Sequence, residues 1–216
     1  MLDDLVQTPA AGGDIAPAVS TQVRYSTIAI VGSHPQSKHL APFNDPSVLV
    51  YACSPDNSPY GSGPHAGPLP RVDCWFELHS PVERPSLPFG YLAYVSQLPT
   101  VWMRDERAMA SGLFKGARRY PEREMKEKFC SFLFTSSVAY MLAKAITDCE
   151  EQGIPQIALY GIMQGGNLDP ANQSQSAEYA YQRPGTQYFI WEATRRGIKV
   201  LAAKESRLFE LPPEVW

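Results

Sequence analysis

FTSSVAYMLAKAITDCEEQGIPQIALYGIMQGG, residues 134–166, divides into a hydroxyl cluster, an amphipathic segment and a short apolar run. Val138, Met141, Leu142, Ala145, Ile146 and Cys149 fall at i, i+3, i+4, i+7, i+8 and i+11. That is one continuous apolar face at the 3.6-residue period of a helix, which excludes a strand. Thr135 or Ser136 is placed to cap the first turn, Gly153 to end the helix and Pro155 to stop it resuming. A strand follows over Ile157 to Ile162. Helix, short turn and buried strand is the pattern of a parallel α/β sheet, in which ligands lie beyond the carboxyl ends of strands and beside helix amino ends.

Outward from this stretch the chain repeats the theme. Thr27 to Val31 (TIAIV) reads as a first buried strand, with Gly32, Ser33, His34 and Pro35 as its ligand-facing loop. One glycine there falls short of the G-x-G-x-x-G dinucleotide fingerprint, so NAD and FAD lose their main support. Val48 to Cys53 is a second strand, followed by Ser54, Pro55, Asp56 and Asn57 and a Pro/Gly-rich loop to Arg71. Val72 to His79 (VDCWFELH) alternates, placing Glu77 and His79 on a shared face at the carboxyl end of a third strand. Two readings fit: the wet face of an edge strand, or a carboxylate and an imidazole projecting into a cleft.

Tyr91 to Leu98 reads as a short helix and Thr100 to Met103 as a fourth strand. Residues 104–128 are charged and interrupted by Gly112, Gly116 and Pro121, as in an insertion or lid, with helix from Glu122. Beyond Gly161, Met163 to Ser176 is expected to be a flexible loop, Glu178 to Arg183 (EYAYQR) a separate element, Gln187 to Arg196 a last helix and Ile198 to Ala202 a final strand. The expected architecture is α/β: a single Rossmann-like domain over 25–216 with a mostly parallel sheet flanked by helices, preceded by a flexible arm at 1–24.

With 216 residues, a net charge of -3 and no apolar run of membrane length, the chain is expected to be soluble and cytoplasmic. Its amino terminus carries acids where a signal peptide needs bases. The charge argues against a nucleic-acid partner: Lys115, Arg118, Arg119, Arg123, Lys126 and Lys128 are interleaved with Glu122, Glu124 and Glu127, as on a solvated helix face. The four cysteines form no C-x-x-C pair and fit core thiols. A protein partner on the amino-terminal arm, or self-association, stays open.

For chemistry, hydroxyls at a helix amino end suit an anion, because the macrodipole and unpaired N–H groups both favour negative charge; a plain helix cap is the competing reading. Tyr179, Tyr181 and Arg183 are candidates to neutralise a leaving phosphate. His79, oriented by Glu77, is the first candidate general base and His34 the second. His34 and His39 at i and i+5 lack a matching third ligand for zinc, and no G-x-S-x-G elbow occurs.

The central stretch resembles the corresponding segment of bacterial sialyltransferases. There a T-S-G/S cluster opens a helix of the type V-Y-M-x-A-x-A-I, followed by a strand ending in G-I-D and a Tyr-Ala-Phe-like element. The matching residues are Thr135, Ser136 and Ser137; Val138, Tyr140, Met141, Ala143, Ala145 and Ile146; Gly161 and Ile162; then Tyr179, Ala180 and Tyr181. The first loop is similar to that family's G-x-G-P-S loop, and the likeness extends to phage and bacterial proteins of the same layout. The resemblance implies a glycosyltransferase-like, metal-independent protein that takes a nucleotide sugar, CMP-type, as substrate and displaces the nucleotide directly, with no further cofactor. By the same resemblance Gly32 and Ser33 meet the phosphate or ribose, Thr135, Ser136 and Ser137 the base and ribose, and Tyr179 the phosphate. The chain departs from the pattern at Ser54, where an asparagine is expected and Asn57 stands close by, and at Met163, where G-I-D has its aspartate. Where the family carries a late histidine as general base, Gln187 stands, and an amide cannot accept a proton at neutral pH. The alternative expectation is therefore a non-catalytic nucleotide-binding or assembly protein that keeps the fold.

Overall fold

The structure, a computed structural model, describes residues 25–61, 66–79, 87–88, 90–164, 173–203, 206 and 208–209. The amino-terminal arm and most of the Gly/Asn/Gln-rich loop after Met163 lie outside the described residues. The elements run β1 (Thr27–Val31), α1 (Pro35–Lys38), β2 (Val48–Ala52), β3 (Cys74–Glu77), α2 (Tyr91–Val95), β4 (Val101–Met103), α3 (Glu106–Ala110), β5 (Ala117–Arg119), α4 (Glu122–Lys128), α5 (Ser137–Gln152), β6 (Gln156–Tyr160), α6 (Gln173–Arg195) and β7 (Lys199–Ala202).

Seven strands form one sheet in the order β5-β4-β3-β2-β1-β6-β7, and every neighbouring pair is parallel. The chain steps outward from β1 to the β5 edge, then returns past β1 to lay down β6 and β7 on the other side. The direction of travel therefore reverses between β1 and β6, the crevice at which open α/β sheets bind ligands.

Strand alternation divides the core into two layers. Ile28, Ile30, Tyr51, Phe76, Ile157 and Leu159 face a cluster supplied by α4, α5 and α6. Ala29, Val31, Val50, Trp75, Val101 and Met103 face a second one supplied by α2, α3 and the loop around Phe43. Met141, Leu142 and Ile146 of α5 are fully buried, and each such side chain stabilises by about 1.5–3 kcal/mol relative to exposure. Ser136 caps α5 by accepting from the Ala139 N–H, and Gly153 ends it in the left-handed region at φ 68°, as the sequence leads one to expect. One polar set is enclosed between α5 and the sheet: Lys144 and Asp148 pair one turn apart, Tyr51 donates to Asp148, and the Lys144 ammonium lies 4.9 Å from the centre of the Trp102 ring.

Three readings of the sequence change. β3 lies between β2 and β4, and Glu77 is only 4 % exposed, so the wet edge-strand reading of Glu77 fails. Residues 104–128 include β5, which pairs with β4 as the sheet's edge, so part of the expected insertion belongs to the sheet itself. Glu178 to Arg183 and the expected last helix are one helix, α6, which continues through Pro184.

Candidate functional site

Gly32 and Gly161 bring the two strands at the reversal into backbone contact. The Gly32 N–H donates to the Tyr160 carbonyl at 2.8 Å, the His34 N–H donates to the Gly161 carbonyl at 3.0 Å, and the Ser37 hydroxyl accepts from the Gly161 N–H at 2.9 Å. A Cβ on Gly32 would stand 2.3 Å from the Gly161 oxygen, so the approach requires glycine. Asn57, fully buried, fastens the next strand end: its side-chain amide donates to the carbonyls of Val31 and Cys53.

Above these strand ends opens a cavity of about 390 Å³. It is lined by Gly32, Ser33 and His34 after β1, Cys53, Ser54 and Pro55 after β2, Phe76, Glu77 and His79 of the third strand end, and Thr135 to Val138 at the start of α5. Gly161 to Gln164 after β6 and Glu178, Tyr179 and Gln182 of α6 close it. Residues singled out from separate stretches of sequence thus meet in one space: Gly32, Ser33, His34, Ser54, Glu77, His79, Thr135, Ser136, Ser137, Gly161 and Tyr179.

The remaining sequence candidates lie elsewhere. Asn57 is buried among backbone carbonyls at the strand ends, where it serves as an anchor. Tyr181 follows Tyr179 by two helical residues, which turns it about 200° around α6, and it is 71 % exposed. Arg183 is half-buried and is not part of the lining. Gln187, at the place of the late histidine, donates to the Leu208 carbonyl at 3.0 Å and is also absent from the lining.

The two faces of the sheet contribute different chemistry. Phe76 belongs to the layer packed by α5, so Glu77, its neighbour along the strand, points to the opposite face. There the Tyr91 hydroxyl donates to Glu77, and the Trp75 indole N–H donates to the Tyr91 oxygen at 3.3 Å. His79 is exposed at the rim, with Nδ1 3.9 Å from Glu77 Oε1. On the α5 side, Ser136 is committed to its cap and Thr135 donates to the Gln182 carbonyl, tying α5 to α6. Next to this contact runs a relay that local sequence patterns do not disclose. Thr186 donates to the buried Gln164, whose amide donates to Gln182 at 3.1 Å, and Gln182 donates to Glu178 at 2.6 Å. Glu178, Gln182 and Thr186 fall at i, i+4 and i+8, a polar stripe readable only once Pro184 is accepted inside the helix.

Cys53 is the one thiol of the described lining. Burial pushes it up to about 12, with the Glu77 charge adding to the effect, so it stays protonated and is not poised as a thiolate nucleophile. Cys74 and Cys149 are likewise pushed up to about 12, first by burial, as inert core thiols. Among the described residues no helix is long and apolar enough to cross a membrane, and no group of three or more His, Cys, Asp or Glu side chains is placed to hold a metal ion.

Comparison of the chain with protein families, with curated proteins and with solved structures found no match.

Proposed function

We propose that the chain is a nucleotide-sugar-dependent, glycosyltransferase-like protein that holds a CMP-type nucleotide in the crevice between the β1 and β6 ends. The observation that carries this reading is convergence: the β1 loop, the hydroxyl-rich start of α5, Tyr179 and the Glu77–His79 pair all line one cavity at the reversal of strand order. At about 390 Å³ the space falls in the range that small-molecule sites occupy. The amino end of α5, sixteen residues long, supplies N–H donors and a favourable dipole for a phosphate. His79 is the general base that takes the proton of an acceptor hydroxyl as the nucleotide leaves, and Glu77 stabilises the imidazolium so formed.

Isothermal titration with CMP, CDP, UDP and GDP tests the binding step, and saturable binding of CMP is expected. Hydrolysis of a CMP-sugar then tests the base, with turnover in His79→Ala expected to fall by about 100-fold or more. Equal rates in the two proteins would remove His79 from the role. The engagement of Gln187 with Leu208 favours the alternative of a nucleotide-binding protein without catalysis, since no second base stands where the family would place one. Binding of CMP with no hydrolysis and no transfer would establish that alternative.

A further inference from the structure

Three side chains of the cavity wall, Glu178, Gln182 and Gln164, are joined in a line whose polarity is set from one end. Glu178, as a carboxylate, only accepts, so the Gln182 amide must turn its nitrogen to Glu178 and its oxygen to Gln164. The Gln164 nitrogen therefore faces Gln182, and its oxygen is left to accept from Thr186. Neither amide can turn over without setting two donors or two acceptors against each other. The line is held from behind: Thr186 is fully buried, Gln164 is only 5 % exposed, and Thr135 donates to the Gln182 carbonyl. Each amide nitrogen carries two protons and uses one within the line. The second has no acceptor among the described residues.

From the exposed Glu178 to the buried Gln164, the line thus offers a ligand an acceptor, a donor and a donor. Nucleobases are told apart by the order of such groups along their pairing edges. Cytosine, taken from N4 through N3 to O2, carries a donor, an acceptor and an acceptor, the complement at every position. Uracil reverses the first two with O4 and N3–H. Guanine, with O6, N1–H and the N2 amino group, matches at none. Adenine matches at N6 and N1 but has only a C–H at the third position.

We propose that Glu178, Gln182 and Gln164 read the base of the bound nucleotide: Glu178 accepts from the cytosine amino group, Gln182 donates to N3 and Gln164 donates to O2. The inference rests on the nucleotide reading and adds to it the side chains that choose the base. None of the three is among the positions that carry the sequence resemblance, so the polarity of the line is a separate argument for cytosine.

Isothermal titration of the full chain with CMP, UMP, AMP and GMP tests it. A carboxylate set against O4 of uracil or O6 of guanine loses a charged hydrogen bond, so UMP and GMP should bind about tenfold or more weakly than CMP. AMP, which lacks only the O2 contact, should bind several-fold more weakly. Glu178→Gln keeps its oxygen toward Gln182 and turns an NH2 group to the ligand, so the CMP-to-UMP ratio should fall to about one or below. Gln164→Leu removes the donor to O2, an atom that cytosine and uracil share. It should weaken CMP and UMP alike by several-fold and keep their ratio, because Glu178 still orients Gln182. Equal affinity of the wild type for CMP and UMP overturns the inference while leaving nucleotide binding intact, and so does an unchanged ratio in Glu178→Gln. AMP bound as tightly as CMP overturns the assignment of Gln164 to O2. No binding by any of the four nucleotides overturns both readings. If Gln164→Leu fails to fold, judged by circular dichroism, the wild-type ratios and the exposed Glu178 still decide.

Discussion

Gly161 has φ +63°, in the region that a Cβ disfavours, and a Cβ there would also stand 2.5 Å from the Gly32 carbonyl oxygen. Gly112 has a similar φ of +69°, but a Cβ added to it would meet nothing within 4 Å, so it isolates the backbone contribution from the steric one. Gly112→Ala should destabilise by about 1–2 kcal/mol. Gly161→Ala should add a further penalty of about 1–3 kcal/mol for forcing the strand ends apart. Urea midpoints at unchanged slope measure both; equal losses would mean that the approach of Gly32 and Gly161 is not a constraint. At this scale much of the candidate site is legible in the sequence. Ser33, Glu77, His79 and the hydroxyl cluster stand out because strand-end loops and helix caps have local signatures, and a strand's period of two places Glu77 and His79 together. Tyr181 joins the candidates only when helical phase is ignored, since phase separates it from Tyr179; Arg183, one turn beyond Tyr179, shares its side of α6 yet is not part of the lining.

At the scale of elements, β1, β2, β3, β4, α5, β6 and β7 all carry an apolar pattern strong enough to read. β5 does not: two of its three residues, Arg118 and Arg119, are charged, and it lies at the edge, where one side of the strand meets solvent. The first half of α6 escapes the sequence for a different reason. Pro184 and Gly185 signal a break, yet the helix continues, and Gly185 lets its backbone pass within reach of Leu133 and Thr135, where any Cβ would stand 2.2 Å from the Leu133 oxygen. The helices are also joined by charge. Glu150 on α5 accepts from Lys128 on α4 at 2.7 Å and from Arg196 at 2.8 Å, and Glu192 on α6 accepts from Arg195 and Arg196. Burial pushes both glutamates up, but the hydrogen bonds and charges of these cations outweigh it and hold both below the ordinary value of 4.5. A carboxylate held below its unfolded value stabilises fully above that value and loses the contribution as pH falls through the lower, folded one. Arg196→Gln should therefore be less stable than the wild type at neutral pH, and the gap in melting temperature should close as pH falls below 4.5. A gap that stays constant with pH would assign the loss to packing of Arg196 on the Phe129 ring, 5.1 Å away, in place of its ion pairs.

For the molecule as a whole, the strand order has no local signature. Alternating helices and buried strands indicate a parallel sheet, but several orders satisfy the same pattern, and the observed order puts the reversal between β1 and β6. That order gives the local signals a common destination: the loops after β1, β2, β3 and β6 and the start of α5 surround one cavity. This cavity is the proposed nucleotide site. Titration of isotopically labelled protein with CMP, followed by amide chemical shifts, tests that placement. The expected result is saturable shifts at Gly32, Ser33, Ser54, Ser136, Ser137 and Gly161, with the β5 edge unmoved. Shifts confined to residues outside the crevice, or none at millimolar CMP, would contradict it.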